Sequence, residues 1–215
     1  MLKLHTYFRS SAAFRVRIAL NLKGLAYESV PVHLLRGGGE QHGERYRQRN
    51  ASQLVPLLEI DDLTLSQSLA IMEYLEERCP EPALLPREPS TRARVRELAL
   101  SIACDIHPLN NLRVLQYLTA PLGVPETQRD EWARHWIALG FTAIEQRMTW
   151  AASNGPYSFG AMPTLADCCL VPQVFNARRV HLPLDEYPTI RRVYEHCMQQ
   201  EAFQRAAPGA QGDAE

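Results

Sequence analysis

Four prolines fall within ten residues, at Pro80, Pro82, Pro86 and Pro89. Proline fixes φ and lacks a backbone donor, so this run can continue neither a helix nor a central strand. The patterning on its two sides differs in kind. Before it, short apolar segments with strand-like alternation are interleaved with helical stripes; after it, every periodic segment is helical. The expected organisation is a small α/β domain over 1–80, a stiff linker over 81–90 and an all-helical domain over 91–215.

In the first part, Leu2–Tyr7 reads as a strand and Ser11–Lys23 as a helix ended by Gly24. Phe14, Ile18 and Leu22 recur every fourth residue, while Arg15 and Arg17 fall off that stripe. Tyr27–Leu34 alternates as a second strand. The triple glycine of Arg36–Glu40 predicts a mobile loop, and it lacks the Gly-Lys-Ser/Thr ending of a phosphate-binding P-loop. Glu40–Asn50 reads as a polar surface segment with a helical turn. Gln53–Ile60 is a strand interrupted by Pro56, either a simple edge strand or one whose Val55–Pro56 bond is cis and leaves a backbone edge free. Asp61-Asp62 turns the chain into Leu63–Leu65, and Leu69–Arg78 follows as a helix with Leu69, Met72 and Leu75 on one face. A βαβ unit followed by a hairpin and a helix fits this order.

In the second part, the expected helices are Thr91–Leu118, bent near Pro108; Glu126–Ala152, with Trp132, Trp136, Leu139, Ala143 and Met148 along one side; a buried Thr164–Val180; and an amphipathic Pro188–Arg205. Ala206–Glu215 is small and polar and is expected to fray. Thr164-Leu-Ala-Asp167 has the form of a capping box, a folding signal rather than a catalytic one.

Chemistry first suggests itself at Ser10 and Ser11. A strand leading into two serines and a helix can cap that helix; it can also hold an anion and offer it a hydroxyl. Gln67-Ser68 heads a second helix in the same way. The net charge of −1 supports neither a nucleic-acid nor a membrane surface, and no run of 18 apolar residues exists. Five cysteines without a Cys-x-x-Cys pair, and seven scattered histidines, support neither a disulfide framework nor a metal site. Reduced thiols, and first residues that enter a strand pattern without a signal-peptide or transit composition, lead to the expectation of a cytoplasmic protein.

Taken together, Ser10-Ser11-x-x-x-Arg15-Val-Arg-Ile-Ala-Leu20, Leu54-Val55-Pro56, Gln67-Ser68-Leu-Ala-Ile71 and Thr164-Leu-Ala-Asp167 resemble the zeta-class glutathione transferases, the group of the maleylacetoacetate and maleylpyruvate isomerases. Asp105-Ile-His-Pro-Leu-Asn-Asn-Leu-Arg113, Leu170-Val-Pro-Gln173 and Asn176-Ala-Arg-Arg179 extend the likeness over nearly the whole chain. The resemblance implies the glutathione transferase fold: an α/β thioredoxin-like N-terminal domain and an all-α C-terminal helical domain, in a homodimer. It implies glutathione as cofactor, bound by Ser10, Ser11, Arg15, Gln41, Val55, Gln67 and Ser68, with His107, Asn111 and Arg113 closing the site. Ser10 matches the catalytic hydroxyl. Arg9, Arg113, Arg178 and Arg179 are the candidates to bind substrate carboxylates, Arg9 and Arg179 first because they sit inside matched motifs, and Arg9 and His107 join Ser10 as catalytic candidates. The family commonly reads Ser-Ser-Cys where this chain has Ala12, so no mechanism can use a protein thiol there.

The implied reaction is glutathione-dependent cis–trans isomerisation of a small dicarboxylate, maleylacetoacetate, in aromatic amino-acid breakdown. The alternatives are maleylpyruvate in a gentisate route, a general glutathione transferase or peroxidase, and a non-catalytic binding module.

Overall fold

The computed structural model describes residues 1–150 and 155–215, and the chain forms two compact units: Met1–Leu84 with Met198–Glu215, and Leu85–Cys197. The residues from Met198 onward, expected in the helical domain, thus group with the first unit.

The first unit is built on a four-stranded sheet in the order β2-β1-β3-β4, from β1 (Lys3–Thr6), β2 (Glu28–Pro31), β3 (Leu57–Ile60) and β4 (Leu63–Ser66). β1 runs parallel to β2 and antiparallel to β3, and β3 pairs antiparallel with β4. The strands are shorter than the alternation predicts, and Gln53–Pro56 lies outside β3. The helices are α1 (Ser11–Leu22), the single turn α2 (Glu44–Arg47), α3 (Ser68–Arg78) and, from the far end of the sequence, α9 (Glu201–Ala206).

α1 has no solvated arginine face. Arg15 and Arg17 are both buried, Arg17 completely. Arg17 Nε donates to Ala206 O (2.9 Å), Nη1 to Thr6 Oγ1 (2.8 Å) and Tyr7 O (3.3 Å), and Nη2 to Phe8 O (3.0 Å). A charge in the interior is tolerated only when its donors are met in this way. Burial draws its pKa down to about 10, against the pull of Tyr27 and Asp213, so it remains a cation at neutral pH. Asn21 Nδ2 donates to Ala202 O (2.9 Å), a second tie between α1 and α9. At the other end of α1, Lys23 Nζ sits 2.8 Å from Glu76 Oε2 on α3 and donates to Cys79 O and Pro82 O. Glu76 is buried and also accepts from Leu84 N.

On the opposite sheet face, His5 Nε2 lies 3.1 Å from Glu59 Oε1, which also pairs with Arg49. Burial lowers the pKa of His5, although Glu59 pulls it the other way. Burial raises that of Glu59, but Arg49 and His5 outweigh it and the carboxyl ends below its usual range.

The second unit is helical: α4 (Pro89–Leu100), α5 (Leu112–Thr119), α6 (Glu126–Trp150), α7 (Leu165–Arg179) and α8 (Pro188–Cys197). The expected Thr91–Leu118 helix is divided. A π-type segment, Ser101–Ile106, follows α4, and a 3-10 turn, His107–Asn110, carries Pro108. Proline at 108 has no N–H to give the helical ladder, so the chain re-forms its bonds with a wider, then a tighter, turn. Pro188–Arg205 is likewise two helices, α8 and α9.

The buried side of α6 is Ala133, Ile137, Phe141, Ile144 and Met148; Leu139 and Ala143, expected among them, are exposed. Residues 151 and 152, predicted to finish this helix, lie outside the described residues. α7 starts on its capping box: Asp167 Oδ2 accepts from Thr164 N (2.7 Å) and Oδ1 from Ser158 N (2.8 Å). Burial raises the pKa of Asp167 against those bonds. Among the described residues no helix is long and apolar enough to cross a membrane.

Candidate active site

The sheet register gathers the predicted residues of the first unit at one end. β1 pairs with β3 as Lys3↔Glu59 and His5↔Leu57, so the chain leaves β1 toward Tyr7 at the same end at which it enters β3 from Val55 and Pro56. Leu57 pairs with Ser66, so β4 ends beside them and delivers Gln67 and Ser68. Thr6 pairs with Pro31, so β2 leads from the same end into the His33–Gln41 loop. α1 and α3 both begin there, and their first-turn N–H groups and positive dipole ends favour an anion.

Ser10 is the N-cap of α1, and its Oγ accepts from Ala13 N at 3.2 Å. Capping uses a lone pair and leaves the hydroxyl proton to be donated. Ser11 is buried in the first turn. Arg9, just before them, is fixed by Tyr7: its Nη2 and Nε donate to the phenol oxygen at 3.0 and 3.3 Å, and its guanidinium stacks 5.1 Å from the Phe8 ring centre. The Val55–Pro56 bond is cis.

Arg15 lies under this face rather than on it. Its Nη1 donates to Ser68 Oγ at 3.1 Å, so it holds the start of α3 in place from α1. Gln67 is exposed with φ +71°, left-handed for a residue that has a Cβ. Such backbone costs about 1–3 kcal/mol and clusters where function needs a fixed geometry.

The predicted mobile loop is held by its own bonds. His33 Nδ1 accepts from Leu35 N (3.2 Å) and Arg36 N (2.8 Å), and Glu40 Oε2 accepts from His33 N (2.7 Å). Gly39 takes φ +106°, and a Cβ there would lie 2.5 Å from the Gln41 amide. Gln41 is buried, and its Oε1 has no hydrogen-bond partner among the described residues. A buried acceptor without a donor fits a site that a peptide N–H fills. That atom, the Ser10 hydroxyl and two helix starts together suit a small anionic peptide with a thiol, as glutathione is.

In the second unit, His107 opens the 3-10 turn, with Nε2 3.5 Å from Asn111 Nδ2. Asn111 caps α5 by accepting from Arg113 N (3.2 Å), and Arg113 itself is exposed. Two buried residues that sequence reasoning did not select join this turn to the end of α7. Asn110 Nδ2 donates to Ile106 O (2.8 Å), and Asn176 Nδ2 donates to Asn110 Oδ1 (2.8 Å). Arg179 Nη1 then reaches Asn176 Oδ1 at 3.5 Å. The structure thus brings Arg179 and the turn of His107 into one network. Arg178 lies 4.3 Å above the Tyr194 ring, a cation–π contact.

Known proteins carry the same architecture. Family models for the glutathione S-transferase N-terminal domain and C-terminal domain match residues 9–78 and 126–197. A probable maleylacetoacetate isomerase of Vibrio cholerae is 51% identical, over 98% of this chain and 97% of its own. The holo structure of a maleylpyruvate isomerase, described as a bacterial zeta-class glutathione S-transferase, superposes with a TM-score of 0.96 at 48% identity, covering 99% of this chain and 100% of that one. Maleylacetoacetate isomerase from Anaeromyxobacter dehalogenans, solved with glutathione in its active site, gives a TM-score of 0.89 at 46% identity over 100% and 98% of the two chains. With a thioredoxin-like first unit, a helical second unit and relatives this close over their full length, the chain belongs to the zeta class of the glutathione transferases.

Proposed function

We propose that this protein is a glutathione-dependent cis–trans isomerase of a maleyl-type dicarboxylate, with maleylacetoacetate as substrate. The observation that carries the reading is Ser10: an N-cap whose proton remains to be donated, at the sheet end that also holds Val55, Gln67 and Ser68. Bound glutathione would supply a thiolate that adds reversibly to the cis double bond, lets it rotate as a single bond, and leaves unchanged.

Ser10 donates its hydroxyl hydrogen to the sulfur and favours the thiolate. A free thiol titrates near 8.5, and each unit of lowering needs about 1.4 kcal/mol, within reach of one charge-assisted hydrogen bond. Ser11 and the α1 start add the helix dipole. Gln67, Ser68 and the α3 start take the γ-glutamyl carboxylate, with Arg15 holding Ser68. Gln41 Oε1 accepts a peptide N–H, and the Val55 backbone pairs with the cysteinyl part. Arg9 and Arg179 bind substrate carboxylates as planar donors. His107, with Asn111 and Arg113, is proposed to donate a hydrogen bond to the carbonyl oxygen on which addition would place negative charge, with no net proton transfer.

Maleylpyruvate is the second reading, favoured by the likeness to a maleylpyruvate isomerase structure. Ultraviolet assays on both substrates, with and without glutathione, separate the two. Ser10→Ala is expected to lower kcat by about 10- to 100-fold, the thiolate fraction lost when one to two units of pKa lowering are removed. Its helix cap should cost stability by only about 1 kcal/mol, and Ser10→Thr should restore most of the rate. Undiminished turnover in Ser10→Ala would remove the serine from the mechanism.

A further inference from the structure

Gln211–Glu215 is not frayed, contrary to its composition. A 3-10 turn, Pro208–Ala210, follows α9, and Gln211 Nε2 donates back to Arg205 O (2.8 Å) and Ala207 O (3.0 Å). From that anchor the chain reaches two places. Asp213 Oδ2 accepts from Phe8 N at 3.0 Å, two residues before Ser10. Glu215 Oε1 lies 2.7 Å from Arg36 Nη2 and 3.3 Å from His33 Nε2, at the base of the loop that carries Gln41. His33 Nδ1 already accepts from two backbone N–H groups, so the proton of the neutral ring sits on Nε2, facing Glu215. One short segment therefore spans the two backbone elements that present Ser10 and Gln41.

We infer that Asp213 and Glu215 are positioning residues, tying the Tyr7–Ser10 turn to the His33–Gln41 loop and so setting affinity for glutathione. Neither carboxylate takes part in the chemistry. The inference rests on the reading of this sheet end as the glutathione site. The physical reason is preorganisation: the loop's own bonds centre on His33, and the ties from Glu215 to His33 and Arg36 and from Asp213 to Phe8 N fix that centre relative to the Tyr7–Ser10 turn, so that a ligand need not select one placement among many.

The test is the double variant Asp213→Ala/Glu215→Ala in the full chain. Without ligand, amide exchange over residues 7–10 and 33–42 should speed up about tenfold, with 57–66 unchanged. The Kd for reduced glutathione, by calorimetry, should rise about five- to tenfold, with kcat at saturating glutathione within about twofold of wild type. Asp213→Asn keeps an acceptor for Phe8 N and should return exchange over 7–10 to the wild-type rate. Unchanged exchange in both segments overturns the tie; faster exchange with unchanged Kd overturns its role in affinity. A wild-type protein that binds no glutathione at millimolar concentration shows instead that the functional reading has failed, and the inference falls with it.

Discussion

Replacing Arg17 by Met keeps the length of the side chain and removes every donor. Ala206 O and Phe8 O then lose the partner they have in the structure, while Tyr7 O keeps its bond from Ser10 N and the Thr6 hydroxyl can turn elsewhere. Leaving a buried acceptor unmet costs about 1–3 kcal/mol, so the two carbonyls together amount to about 2–6 kcal/mol. Relief from burying a charge offsets part of this, and the net loss expected is about 3 kcal/mol. For a chain of this size that lowers Tm by about 6–12 °C. Arg17→Lys should recover less than half of it, because one ammonium cannot reach acceptors that the guanidinium meets on separate edges. Urea unfolding followed by circular dichroism reads the loss. A value under about 1 kcal/mol for Arg17→Met would mean that water or a rearranged backbone serves these carbonyls, and that Arg17 does not fasten α9 to the Tyr7–Ser10 turn.

Gly140 lies on α6 with its Cα toward Ile106, and a Cβ there would fall 2.2 Å from Ile106 Cδ1. Ile106 is buried and β-branched, so Gly140→Ala should destabilise by about 1–3 kcal/mol, read as an earlier urea midpoint. Acidification should weaken the first unit in two stages. The lowered pKa of His5 makes its contribution present above 6.5 and lost as pH falls through it; that of Glu59 is present above 4.5 and lost below. Urea midpoints measured from pH 8 to about pH 3 should therefore decline, and His5→Gln should flatten the upper stage; a midpoint that rises on acidification would contradict both assignments.

What could be read in the sequence was local. The strand–helix–strand order and the capping box at Thr164 each depend on neighbours within a few residues, and each has its counterpart in the structure. Ser10 and Gln67-Ser68 stand out for the same reason, since a serine-headed helix start is a short-range signal. Arg17 did not: on a stripe count it is an ordinary solvated arginine, and its acceptors come from residues 6–8 and from 206. Leu139 and Ala143 fit one helical face of α6 as well as Ile137 and Phe141 do, and only the neighbouring helices select between them. The Asn110–Asn176 bond joins residues 66 apart, and nothing near either asparagine announces it. Ala206–Glu215 looks frayed because its partners, Phe8, His33 and Arg36, are at the far end of the chain.

That the first unit is closed by α9 has a consequence for how the protein comes into being. When Leu84 leaves the ribosome, the sheet, α1 and α3 are all present, but Ala202 and Ala206 are not. At about 5–20 residues per second, the intervening chain takes roughly 6–24 s to make. Throughout that interval Arg17 and Asn21 must find other partners or water in place of the α9 carbonyls. The nascent protein therefore carries an unfinished first unit while the second is made, and α9, synthesised after it, completes the fold that was first begun.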